Sequence, residues 1–194
     1  MNKAIKSIVD ELLKYAGEEG VAAYGVIMYV NFIFVSAFIG YTMGVAPIIS
    51  FNTGAQTYGE LKNVTKKSLH IVCLASLGMV AAAQLLARPL ASVFAGYDEQ
   101  FLALSIHALR LYALNYAFSG TNIFGSGFFA ALNNGKISAF LSALRMLVFQ
   151  LLSVLIVPVF LQTDGIWLSM PIAEFFTILF TIGCLSRYRK RYHY

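Results

Sequence analysis

Five mainly apolar runs follow one another along the chain, at residues 21–50, 68–87, 102–132, 137–160 and 165–186. A helix needs about 20 such residues to cross the hydrocarbon core of a bilayer, and within that core its backbone polar groups must bond internally. Each run therefore predicts one spanning helix. The first carries no charged residue, and its GVAP stretch ending at Pro47 predicts a bend near one end. Single polar interruptions mark the others: His70 near the start of the second, Arg110 in the third, Arg145 in the fourth and Glu174 in the fifth. Ahead of the first run, Ile5, Ile8, Val9, Leu12 and Leu13 fall on one helical face opposite Lys6, Asp10 and Lys14. Residues 1–20 are thus an amphipathic helix, read either as an interfacial segment or as the outer end of a spanning helix that begins upstream.

Lysine and arginine in short loops favour the cytoplasmic side. Arg187, Arg189, Lys190 and Arg191 follow the last run, which sets the C-terminus, with a basic tail at residues 189–194, inside. By parity Lys62, Lys66, Lys67 and Lys136 also fall inside, while Asp98, Glu99 and Asp164 fall outside. Lys3, Lys6 and Lys14 run against this rule, which is consistent with an upstream crossing.

Composition agrees with lipid as the solvent. Apolar residues make up 59% of the 194 positions and charged residues 12%, about half the usual share in a soluble domain. The net charge of +5 is concentrated in the tail and the 62–67 loop, as expected of a membrane protein, and points to no nucleic-acid partner. Cys73 and Cys184 lie in separate apolar runs without metal-ligand spacing. His70, His107 and His193 are scattered, and no zinc-protease or phosphate-loop motif occurs, so no enzyme activity, metal or cofactor is expected. The reading is an all-α integral membrane protein of about five transmembrane helices, multi-pass in the cell membrane. Its short loops and tail suit a bacterial inner membrane.

Five segments in order carry more than pattern: GVAAYGVIMYV, GYTMGVAPIISFNTGAQ, the NNGK turn, SALRMLVFQ and GIWLSMPIAEFF. Together they resemble the multidrug and toxic compound extrusion (MATE) family over about residues 17–188, with the lobe itself placed at residues 21–188. The resemblance implies a partial six-helix lobe: helices eight to twelve of a twelve-helix, two-lobed transporter, with IVDELLKYAGEEG similar to the end of helix seven. It further implies secondary efflux of organic cations or drugs by proton or sodium antiport, through a cavity between this lobe and a second one. That lobe would come from another chain or from a homodimer. The alternatives are an inactive truncated lobe or non-transporting membrane subunit, and a lipid-linked sugar flippase. Sodium-coupled relatives carry acids on helices seven and ten; residues 111–135, similar to helix ten, hold none, so that site is not carried over.

Glu174 is the one acid placed deep in an apolar run, where a charge costs roughly 2.5–3.5 kcal/mol on insertion scales. Two readings stand. Desolvation favours a neutral carboxyl, so Glu174 is a candidate coupling acid that releases its proton when a cation arrives; or it is locked in a pair with Arg145 or Arg110. A guanidinium stays charged and needs a partner, water or the interface. Snorkelling accounts for Arg110, and Arg145 is the better candidate for a buried pair, with a direct role in coupling or substrate binding as the alternative. Asn31, Gln84, Asn115, Asn122 and Gln150 are expected to bond between helices. If the family's cavity is present, Tyr112, Asn115 and Asn122 are candidates to line it. The small-residue run with Gly125 and Gly127 is read as structural, letting helices approach closely.

Overall fold

The computed structural model describes the backbone of residues 3–96 and 98–194, with side chains from Gly17 onward; the arrangement of Ile5, Ile8, Val9, Leu12 and Leu13 therefore lies outside the described residues. The described elements are all helices: α1 (Lys3–Gly54), α2 (Tyr58–Leu85), α3 (Ala87–Ala95), α4 (Glu99–Ala113), α5 (Tyr116–Ala131), α6 (Gly135–Ala143), a π-helical segment (Leu144–Phe149) and α7 (Gln150–Tyr192). α1 breaks at Gly17, whose φ of 65° suits a residue without a Cβ. Beyond it Gly17–Gly54 is long and apolar enough to cross a membrane, as is α2. Pro47 lies within α1 and does not break it, since Gly17 is the one residue of α1 with non-helical dihedrals.

The second run reads too short in the sequence. α2 begins at Tyr58, because Glu60, Lys62, Lys66 and Lys67 extend the helix past the apolar stretch. The turn before it is closed by Thr57, whose hydroxyl donates to Asn52 Oδ1 at 2.6 Å, and by Gln56 at φ 57°. The third run is not one straight helix. α4 and α5 meet at a 46° bend across Leu114 and Asn115. The cause is local: Asn115 Nδ2 and the Asn115 backbone N–H both donate to the Tyr112 carbonyl, at 3.0 Å each, and so remove an acceptor that a continuous helix would use one residue further on. Asp98 caps α4 by accepting from the N–H groups of Gln100 (2.8 Å) and Phe101 (3.1 Å).

Residues Gly135–Tyr192 form 58 residues of nearly continuous helix, about 87 Å if straight and far more than one bilayer crossing needs. Gln162, at φ 50° and ψ −128°, breaks α7 and folds it back on itself. Ser169 Oγ donates to the Ser153 carbonyl at 3.2 Å across this hairpin, and a Cβ on Gly165 would stand 2.6 Å from the Val157 carbonyl oxygen. Among the described residues three helices are long and apolar enough to cross a membrane, four with the bent α4–α5 pair taken as one span, and the break at Gln162 divides the longest of them into two arms.

α5 is the centre of the bundle, packed against α1, α2, α6 and α7. Its glycines permit this. A Cβ on Gly120 would lie 2.5 Å from Ser76 Oγ of α2 and 2.6 Å from the Phe38 ring of α1. One on Gly127 would collide with Thr42 Cγ2, and one on Gly125 with Thr181 Cγ2 of α7. Small residues thus replace bulk with close backbone approach, which drives helix association where lipid offers no hydrophobic gain. Buried side chains form one core around Trp167, Tyr112, Ile27 and Val30 and a second around Phe124, Phe128, Phe129 and Leu61. Large apolar residues such as Phe32, Leu85 and Phe160 point outward, each at least 75% exposed, as lipid-facing positions do. The protein is an all-α integral membrane protein.

Candidate functional site

A largely buried polar cluster joins α5, the π segment and the second half of α7. Glu174, 4% exposed, is held at both carboxylate oxygens: Arg145 Nε donates to Oε1 at 2.7 Å and Asn122 Nδ2 donates to Oε2 at 2.6 Å. The same Asn122 amide lies 3.0 Å from the Glu174 backbone carbonyl. Asn122 Oδ1 in turn accepts from Thr181 Oγ1 at 2.9 Å. Four residues 122, 145, 174 and 181 are thereby linked, two of them charged and all drawn from apolar runs. A buried pair of this kind is favourable only when its remaining hydrogen-bonding positions are also filled, and Asn122 fills one of them.

Each element supplies its residue for a local reason. Thr181 lies seven positions after Glu174, two helical turns along the same face of α7. Asn122 lies on the buried side of α5, between the glycines that bring α2 and α7 close. Arg145 belongs to the π-helical turn Leu144–Phe149, where a wider i→i+5 pattern replaces the α-helical one, as seen in the Gln150 N–H bonded to the Arg145 carbonyl. The Arg145 side chain is 26% exposed against 5% for Glu174, so the pair spans from the interior toward the bundle surface.

The remaining sequence candidates sit elsewhere. Tyr112 is fully buried in the Trp167 core, with its ring 6.5 Å from that of Tyr116. Asn115 is spent on the Tyr112 carbonyl at the α4–α5 bend and makes no described bond between helices. Tyr112, Asn115 and Asn122 line neither of two surface cavities, one bounded by α2, α5 and α7 and one around Leu114, Phe118 and Phe175. Arg110 is exposed, and its carbonyl accepts from Gln84 Nε2 at 2.9 Å, tying α2 to α4. Pro47 is exposed on α1. His107 Nε2 and Asp164 Oδ1 meet at 2.8 Å on the bundle surface, linking α4 to the turn of the α7 hairpin. Thr181 is the cluster member that sequence reading passes over, although its spacing from Glu174 was available.

Among solved structures, a Vibrio cholerae MATE transporter in the bent form is similar over 98% of this chain and 43% of its own, with a TM-score of 0.88 and 16% identity. The outward-facing conformation of a multidrug resistance MATE family transporter of the MOP superfamily matches with a TM-score of 0.85 and 19% identity, over 97% of this chain and 43% of that one. An inward-facing conformation under the same description matches with a TM-score of 0.85 and 21% identity, over 97% and 44%. The chain thus spans less than half the length of the structures it resembles. No curated protein matches it. At these identities the structures speak for the fold, while a model of the MatE family matches residues 5–156, well over half of the sequence. The chain belongs to the MatE family.

Proposed function

We propose that the chain forms one lobe of a two-lobed secondary efflux transporter that exports organic cations in exchange for protons or sodium ions. The observation that carries this reading is the equal fit to both ends of a transport cycle. The same lobe matches an outward-facing and an inward-facing multidrug transporter with TM-scores of 0.85 each. A lobe that fits both states suits alternating access by rigid rocking of two lobes about a central site.

Such rocking requires a lobe that does not deform, and the Arg145–Glu174–Asn122–Thr181 cluster suits that need. With both carboxylate oxygens engaged, Glu174 is better suited to bracing α5 against the α7 hairpin than to exchanging a proton with an arriving cation. Lys62, Lys66 and Arg189 border one cavity and so lie at one end of the bundle, which supports a cytoplasmic C-terminus in a bacterial inner membrane.

The test is ethidium efflux from energised cells expressing the chain alone or joined to the N-terminal lobe of a MATE relative, beside E174Q and an empty vector. Energised efflux above the vector in either form, abolished by collapse of the proton or sodium gradient, is expected. Efflux equal to the vector in both forms, with the protein folded in the membrane, overturns the transport reading and leaves a non-transporting membrane subunit.

A further inference from the structure

Beyond the last turn of α7 the chain reverses. His193 sits in the left-handed region at φ 58° and ψ 29°, which a residue with a Cβ occupies at a cost. The reversal turns Tyr194 back onto the bundle, where it is 8% exposed. Its ring meets that of Phe128 of α5 edge-on, 4.7 Å between centroids, and its hydroxyl donates to the Leu185 carbonyl at 2.8 Å. Arg189 Nε donates to the Tyr194 backbone oxygen at 3.2 Å. The two residues before it are fastened as well. Asn134 Nδ2, in the turn from α5 to α6, donates to the Tyr192 hydroxyl at 2.9 Å, and the His193 ring lies 4.9 Å from that of Tyr58 at the start of α2. Three residues thus reach α2, α5, the α5–α6 turn and α7 itself.

The same tyrosine forms part of the wall of a cavity of about 550 Å³, which Thr65 and Leu69 of α2, Thr121 of α5, and Ile178 and Leu185 of α7 also line. Tyr194 shares a core with Leu61 of α2, Phe128 of α5 and Leu185 of α7, so it bridges the helices on either side of that cavity. We infer that Tyr192–Tyr194 is a releasable strap, which closes one end of the cavity while the reversal at His193 holds and opens that end when it lets go. Release is local. The strap is held by side-chain bonds and ring contacts at the end of α7, so letting go breaks no helix, relaxes the left-handed residue and returns freedom to three residues. Burial of the Tyr194 ring and its hydrogen bonds oppose this. A ring that merely completed the core would differ in its consequence, because its loss would loosen the packing beyond the cavity too. The inference concerns this end of the lobe and holds whether or not the lobe transports.

The test is the rate at which a charged methanethiosulfonate reagent modifies a single thiol in the purified full chain, in a C73S/C184S background. The reporter is T65C, at a buried position on the cavity wall, and the control is S105C, at a buried position on α4 outside the cavity lining. Y194A should speed modification of T65C about tenfold and Y194F, which keeps the ring and loses the bond to Leu185, about fivefold. H193P keeps Tyr194 but cannot take a φ of 58°, so it should match Y194A. H193G can take the turn and should stay within about twofold of the chain with His193. S105C should react at one rate throughout. An unchanged T65C rate in Y194A or H193P, H193G opening the cavity as far as H193P, or S105C accelerating in step with T65C would each overturn the inference.

Discussion

Breaking the Arg145–Glu174 pair from either side should cost unequal amounts. R145M leaves the Glu174 carboxylate, 5% exposed at its side chain, with Asn122 as its described side-chain partner. Removing one member of a buried pair costs about 3–5 kcal/mol because the other charge is left uncompensated. E174Q instead leaves a guanidinium that is 26% exposed and able to extend toward the surface, while the new amide oxygen still accepts from Asn122. A loss of about 1–2 kcal/mol follows, the lower range for a lost charged hydrogen bond. The double variant R145M/E174Q has no stranded charge, so its loss should fall about 2 kcal/mol short of the two single losses taken together. Unfolding of the four proteins by denaturing detergent in mixed micelles, followed by circular dichroism, measures all three differences. Additivity within about 0.5 kcal/mol, or E174Q costing more than R145M, would refute the view that the pair braces the lobe.

Three further outcomes follow from the packing. G125A should destabilise by about 1–3 kcal/mol, as overpacking does, and T181S should rescue it, since serine lacks the Cγ2 that meets the new Cβ and keeps the hydroxyl bonded to Asn122; no rescue in mixed-micelle unfolding would place the strain elsewhere. Q162G should raise stability by about 1 kcal/mol, because φ 50° with ψ −128° is a backbone conformation that strains a residue with a Cβ, whereas a loss on the same assay would mean that the Gln162 side chain holds the hairpin. D98A should cost about 1 kcal/mol and speed amide hydrogen exchange in the first turn of α4, where Asp98 accepts two backbone N–H groups; unchanged exchange there would contradict the capping role.

The spanning helices were legible because lipid imposes a pattern that local detail does not erase: twenty apolar residues in a row have few other uses. The breaks between them were less so. The hairpin at Gln162 fell in the expected gap between the fourth and fifth runs, but the bend at Asn115 lies within an unbroken apolar run and depends on one side chain taking the Tyr112 carbonyl. The π turn at Leu144–Phe149 has no composition of its own. At the site, Glu174 and Arg145 stood out because charge is expensive in an apolar run, and their pairing was one of the two arrangements open to Glu174. Asn122 was visible as a polar residue, but that it bonds to Glu174 across 52 positions depends on the packing of α5 on α7. The close-packing role expected of Gly125 and Gly127 fits their contacts, while their partners Thr181 and Thr42 come from helices far away in sequence.

The most direct test of the account is gradient-driven ethidium transport in sealed proteoliposomes holding the purified chain alone or joined to a MATE relative's N-terminal lobe. An imposed proton or sodium gradient in the antiport direction should drive accumulation above protein-free vesicles in at least one form, and dissipating the gradient should stop it. Intact, oriented protein in both forms with uptake equal to that of empty vesicles under either gradient would contradict the claim that this lobe is part of an efflux transporter.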